Sequence, residues 1–220
     1  MSGRSSAEED LRIIRTLMER ATVYRAVSAP SALVAGLLAA GAAGFVYYNN
    51  AVNSVLGRLV GPREMAGIWI VVLVLSAIAN AAFLAGEARR GGRPFVSSGM
   101  KLALRAIVPT LLVPAAFTVW FFAMGFQGGT EVQLVVIWVA FYGLALLSTA
   151  IFAPRSLALL GWAFLLTSVA VPVLQDWLED RVDDVPSFVM GVTFGLFHLI
   201  YAACIWPRRN GETVEGGGPE

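Results

Sequence analysis

Met65-Ala-Gly-Ile-Trp-Ile-Val-Val-Leu-Val-Leu-Ser-Ala-Ile-Ala-Asn-Ala-Ala-Phe-Leu-Ala-Gly86 runs for 22 residues without a charge. An α-helix rises 1.5 Å per residue, so about 20 apolar residues cross a hydrocarbon layer of about 30 Å. In water such a helix would be apolar all round and have no solvated face. The stretch therefore reads as a membrane span, and the question becomes how many others accompany it.

Five more runs have the required length and composition: 29–48, 102–126, 132–152, 156–177 and 187–206. The fourth and fifth spans are divided only by Ala153, Pro154 and Arg155. Proline disfavours helical geometry in the residue before it, and arginine avoids the bilayer centre, so a tight turn is expected there. Composition agrees: 57% of the residues are hydrophobic, only 14% are charged, and the mean hydropathy is +0.71. A soluble domain carries about a quarter charged residues. The expected fold class is all-α, a polytopic membrane helix bundle of six transmembrane helices. The expected organisation is a cytoplasmic amphipathic helix over 1–28, a transmembrane domain over 29–206 and a flexible cytoplasmic tail over 207–220. Glu8, Glu9, Asp10 and Glu19 precede the first apolar run, unlike a short basic signal-peptide leader, so no cleaved peptide is expected.

Arginine sets the expected orientation. With the N-terminus inside, the internal segments hold Arg4, Arg12, Arg15, Arg20 and Arg25, then Arg89, Arg90, Arg93, Lys101 and Arg105, then Arg155, then Arg208 and Arg209. The external loops hold only Arg58, Arg63 and Arg181. Thirteen of the 16 basic residues thus fall on one side, which predicts both termini in the cytoplasm. Trp69, Trp120, Trp177 and Trp206 lie near proposed span ends, where an indole favours the interface. One lysine among the basic residues, with abundant alanine, glycine and valine, is the composition of a GC-rich bacterial genome, and the expected location is the bacterial inner membrane.

The N-terminal segment pairs Ser6 with Glu9 as a capping box and repeats Leu11, Ile14, Leu17, Met18 and Ala21 at helical spacing. It is expected to lie on the inner leaflet. Arg12, Arg15 and Arg20, with Arg89, Arg90 and Arg93 of the second internal loop, are candidate contacts to anionic lipid or to a protein partner. The net charge of +1 implies no nucleic acid partner.

Polar groups inside spans are few, and each is a candidate for function. His198 shares a helix face with Gly191, Gly195 and Ala202, so it is expected to face protein, with Asn80 of the second span as its expected partner. Gly36, Ala40 and Gly44 form a small-residue face on the first span. Pro109, Pro114 and Pro172 are candidate kinks. The acidic run Gln175–Asp184 lacks the glycine and ligand spacing of a calcium loop and reads as a solvated turn. A lone Cys204 and a lone histidine leave no expected metal site, disulfide or cofactor. Ser148 has no nucleophile motif and lies near the inner end of its span, away from His198, so an intramembrane serine protease is not expected.

Met18-Glu-Arg-Ala-Thr22, Arg93-Pro-Phe95, Gly191-Val-Thr-Phe-Gly-Leu-Phe-His198 and Pro207-Arg-Arg209 together resemble a group of uncharacterised small bacterial multi-span membrane proteins. The resemblance implies a hydrophobic multi-span fold and no established activity. The leading expectation is a non-enzymatic regulatory, sensory or assembly subunit acting through a cytoplasmic partner or a second copy. The rival is a small-solute permease with a midplane polar site at His198 and Asn80.

Overall fold

The computed structural model describes residues 28–52, 60–92, 98–125, 130–150 and 153–211, together with Ile14. Every regular element among them is helical: α1 (Ala29–Val52), α2 (Pro62–Arg90), α3 (Ser98–Met124), α4 (Thr130–Ser148), α5 (Arg155–Val173), the short α6 (Gln175–Glu179), and α7 (Val185–Met190), a π-helical segment (Gly191–Phe197) and α8 (His198–Gly211) in one continuous rod. Six of these rods are long and apolar enough to cross a membrane. The expected N-terminal helix lies outside the described residues apart from Ile14, which is helical and exposed.

The helix ends follow local chemistry. Pro62 starts α2 at a position where its missing N–H costs nothing, and Pro154 precedes α5 in an extended conformation. Gly125 closes α3 at φ +85°, with its N–H donating to Phe121 O, a left-handed cap that favours glycine. Asp184 caps α7 by accepting from the Ser187 N–H at 3.1 Å.

Some ends differ from the sequence reading. α5 stops at Val173, not Trp177, because Pro172 falls in its last turn and Leu174 starts a break. Pro109 and Pro114, by contrast, stay inside an unbroken α3. The last rod runs on to Gly211, through the first residues of the expected tail.

The six rods are unequally packed. α1 seats against the last rod through Ala32, Gly36, Ala39, Ala43, Val46 and Asn50, spaced alternately by four and three. That spacing averages 3.6 residues, the α-helical period, so these positions share one face of the helix. Gly36 and Ala40 of the expected small-residue face meet the last rod, whereas Gly44 is exposed with nothing near its Cα: the seam turns away from strict four-residue spacing. α4 and α5 approach closely enough that a Cβ on Gly143 would lie 2.9 Å from Gly161 O. In α2 and α3 only 6% and 11% of the most apolar stretch is buried, against 33–44% in the other four spans, so these two form the periphery.

Trp69 departs from the interfacial pattern. It is 4% exposed and belongs to the core cluster, while Trp120, Trp177 and Trp206 are about half exposed. Indole position in the sequence gives depth but not the direction in which a helix face is turned.

Candidate functional site

The π-helical segment Gly191–Phe197 decides the chemistry of the last rod. Glycines let it approach α1: a Cβ on Gly191 would lie 3.0 Å from Ala43 Cβ, and one on Gly195 would lie 3.2 Å from the Ala40 backbone. Thr193 is fully buried, and its hydroxyl donates to Val189 O at 2.7 Å. The wider turn carries one residue more than an α-turn, and it places Phe194 and His198 face to face, rings 6.2 Å apart and 11° from parallel.

His198 is 6% exposed. Phe164 of α5 meets it edge-on at 5.6 Å, and the Tyr142 ring of α4 lies at 5.6 Å. Tyr142 Oη is 2.8 Å from His198 Nε2. The phenol donates to Nε2 when the imidazole proton is on Nδ1 and accepts from it when the proton is on Nε2. Nδ1 itself is buried on the side of the Thr193 and Phe194 carbonyls, without an aligned hydrogen bond to either. The bond joins α4 to the last rod, and the aromatic nest around it, Tyr142, Phe164, Phe194 and His198, brings in α5 as a third span.

The expected face of His198 is therefore the face observed, but its partner is Tyr142 and not Asn80. The signal for Tyr142 in the sequence is only generic: a phenol in mid-span needs a partner for its hydroxyl. Among the described residues no hydrogen bond is made by the Asn80 amide. Ser148 spends its hydroxyl on Ala145 O at 2.7 Å within its own helix.

A second polar cluster ties the far ends of the spans. Asn50 Nδ2 donates to Asp184 Oδ2 at 2.6 Å, and Asn50 Oδ1 accepts from the Val60 N–H at 3.2 Å. Asp184 is 2% exposed, so the acidic run is not uniformly solvated: its last carboxylate is built into the bundle as a cap and a clamp between α1 and α7. Between α3 and α4, Trp138 Nε1 donates to Thr118 Oγ1 at 2.9 Å.

Arg89 and Arg90 are exposed in the last turn of α2, while Arg12, Arg15, Arg20 and Arg93 lie outside the described residues. Among the described residues no group of three His, Cys, Asp or Glu side chains could hold a metal ion. No family model, curated protein or solved structure matches this chain.

Proposed function

We propose that this chain is a multi-pass protein of the bacterial cytoplasmic membrane, with both termini inside, that acts as a non-enzymatic regulatory, sensory or assembly subunit. The observation that carries the reading is the division of labour among the spans. α1, α4, α5 and the last rod meet one another closely at Gly36, Gly143, Gly161, Gly191 and Gly195 and through the Tyr142–His198 and Asn50–Asp184 hydrogen bonds, while α2 and α3 leave most of their surface available. The link between α2 and α3 carries the exposed Arg89 and Arg90 together with Arg93. With the N-terminal arginines, it offers a cationic surface to an acidic face of a partner or to anionic lipid.

Photocrosslinking in native membranes from a probe at Gly92 tests this. A discrete adduct, lost when Arg89, Arg90 and Arg93 become glutamine or when residues 1–25 are deleted, is the expected outcome. A monodisperse chain indifferent to both changes refutes it. Reporter fusions after residues 92 and 182 test the threading, with opposite compartments expected.

One observation favours a second reading, a small-solute permease: the π-helical segment ends on the buried His198, and π-helical turns are frequent at functional sites. Loss of solute flux with Tyr142→Phe, at unchanged folding, would select it over the subunit reading.

A further inference from the structure

The last rod changes its buried face partway along. In its first half Pro186, Met190 and Thr193 are buried, spaced by four and three residues as one face of an α-helix requires. An unbroken helix would carry that face on through Phe197, then Ile200 with Tyr201, then Cys204. Instead the next buried residues are His198, then Tyr201 with Ala202, then Ile205, each one place later, while Ile200 and Cys204 are exposed. The π-helical segment Gly191–Phe197 takes up the extra residue, so that Thr193 and His198, five apart, are both buried.

Either face suits burial. Phe197, Ile200 and Cys204 are all apolar, and apolarity alone does not choose a helix face in hydrocarbon. Two contacts favour the later set. His198 bonds Tyr142, and with Phe197 in its place that phenol would lose its partner. Ala202 is 2% exposed, and Tyr201 in its place would add a ring to a closed seam. Against these stands the π-turn itself, a rare geometry beside the α-helix on either side of it. Straightening it advances the second half of the rod by one residue, a rotation of about 100° and a shift of about 1.5 Å. His198 would then take the place that Leu199 now holds against Gly36.

We propose that the π-turn is a register switch. The second half of the last rod exchanges between the π register, locked by Tyr142 and His198, and a straight register one residue on, in which Phe197, Ile200 and Cys204 face the bundle. The exchange turns the end of the rod at Trp206 against the other spans, so a contact in mid-span governs the helix face presented at the membrane surface. The switch goes beyond the subunit reading and does not rest on it, because the exchange needs no partner.

Thiol labelling of the purified full chain in mild detergent reads the register, with Cys204→Ala as the background for introduced cysteines. Ile205 is 7% exposed in the π register, and in the straight one it takes the place of Trp206, which is 46% exposed. The maleimide labelling rate of Ile205→Cys therefore follows the straight population. Tyr142→Phe removes one interhelical hydrogen bond and is expected to raise that rate about fivefold. Val189→Cys, buried ahead of the π-turn, is expected to keep its rate. Phe197→His combined with His198→Phe moves the bond into the straight register, and the Ile205→Cys rate is expected to rise about 25-fold, one bond lost and one gained. Deleting Leu196 removes the spare residue, and the effect of Tyr142→Phe on Ile205→Cys is expected to vanish.

An Ile205→Cys rate unmoved by Tyr142→Phe overturns the proposal. A rise shared equally by Val189→Cys also overturns it, since that marks a general loosening of the bundle, and so does a rise that survives deletion of Leu196. Should the histidine exchange or the deletion fail to fold, the comparison of Ile205→Cys with Val189→Cys under Tyr142→Phe decides alone.

Discussion

The seam between α1 and the last rod and the rim helix α2 are made from similar residues, yet one is closed and the other open. Both contain alanine at helical spacing, and both contain one hydrogen-bonding side chain well inside a span. In the seam Gly191 and Gly195 remove the Cβ atoms that would keep the backbones apart, and His198 finds Tyr142 across the bundle. On α2 Gly67 and Gly86 have nothing within reach of an added Cβ, and Asn80 makes no hydrogen bond among the described residues. A small residue, then, marks close packing only where a second helix is present to use the space. In hydrocarbon that use is dispersion and hydrogen bonding, since lipid tails are as apolar as leucine.

Substitutions can break this contrast in a graded series. The largest effect is expected from Asp184→Ala, which strips the cap from α7 and leaves the buried Asn50 amide without its acceptor. A loss of about 3 kcal/mol is expected, combining a cap of about 1 kcal/mol with a charge-assisted bond of about 2 kcal/mol. Unfolding of the purified protein in mixed micelles measures it. A loss below about 1 kcal/mol would show that the clamp is not holding α1 to α7.

Gly143→Ala comes next. Its methyl would meet the Gly161 carbonyl at 2.9 Å, the Leu165 nitrogen at 3.0 Å and Phe164 Cβ at 3.1 Å, two of them backbone atoms that cannot swing aside. Overpacking of this kind costs about 2 kcal/mol. It should lower the thermal midpoint in detergent and disturb the ring of Phe164, read by near-ultraviolet circular dichroism.

Tyr142→Phe sharpens the contrast from inside the aromatic nest. It keeps the ring contacts to Phe164 and Phe194 and deletes only the hydroxyl on His198 Nε2. An interhelical hydrogen bond in a membrane protein is worth about 0.6–1.7 kcal/mol, so a loss of about 1 kcal/mol is expected in the same assay. His198→Phe in the Tyr142→Phe background should restore part of it, because no buried polar atom is then left over.

The smallest effect is the one of opposite sign. Gly86→Ala adds a methyl into open space on α2 and should stabilise the chain by about 0.5–1 kcal/mol through helix propensity alone. A destabilisation would show that something covers that turn in the membrane.

The spans themselves were legible because their signal is additive: twenty apolar side chains in a row read the same in any neighbourhood. The turn at Ala153-Pro154-Arg155 was legible because proline acts on the residue beside it. Burial of His198 was legible from its glycine-rich face. Its partner was not, since a hydroxyl 56 residues away leaves no mark on the local pattern. The π-helical turn was equally hidden, because Gly191–Phe197 reads as an ordinary apolar helix and only docking on Ala40 and Ala43 shows what its glycines are for. Trp69 was expected at the membrane interface and is instead buried in the bundle, for the same reason.

The amino-acid order by itself determined that the chain is helical, that six of its helices suit a membrane, and roughly where each begins and ends, because these depend on transfer free energy and backbone sterics summed over neighbouring residues. Tertiary structure alone decided which face of each helix is used, that four rods pack tightly while α2 and α3 stay at the rim, and that Tyr142 holds His198 while Asn80 stays on a rim helix. Those outcomes depend on which surfaces meet across the bundle, and contacts between distant residues are set by shape complementarity, not by any short stretch of chain.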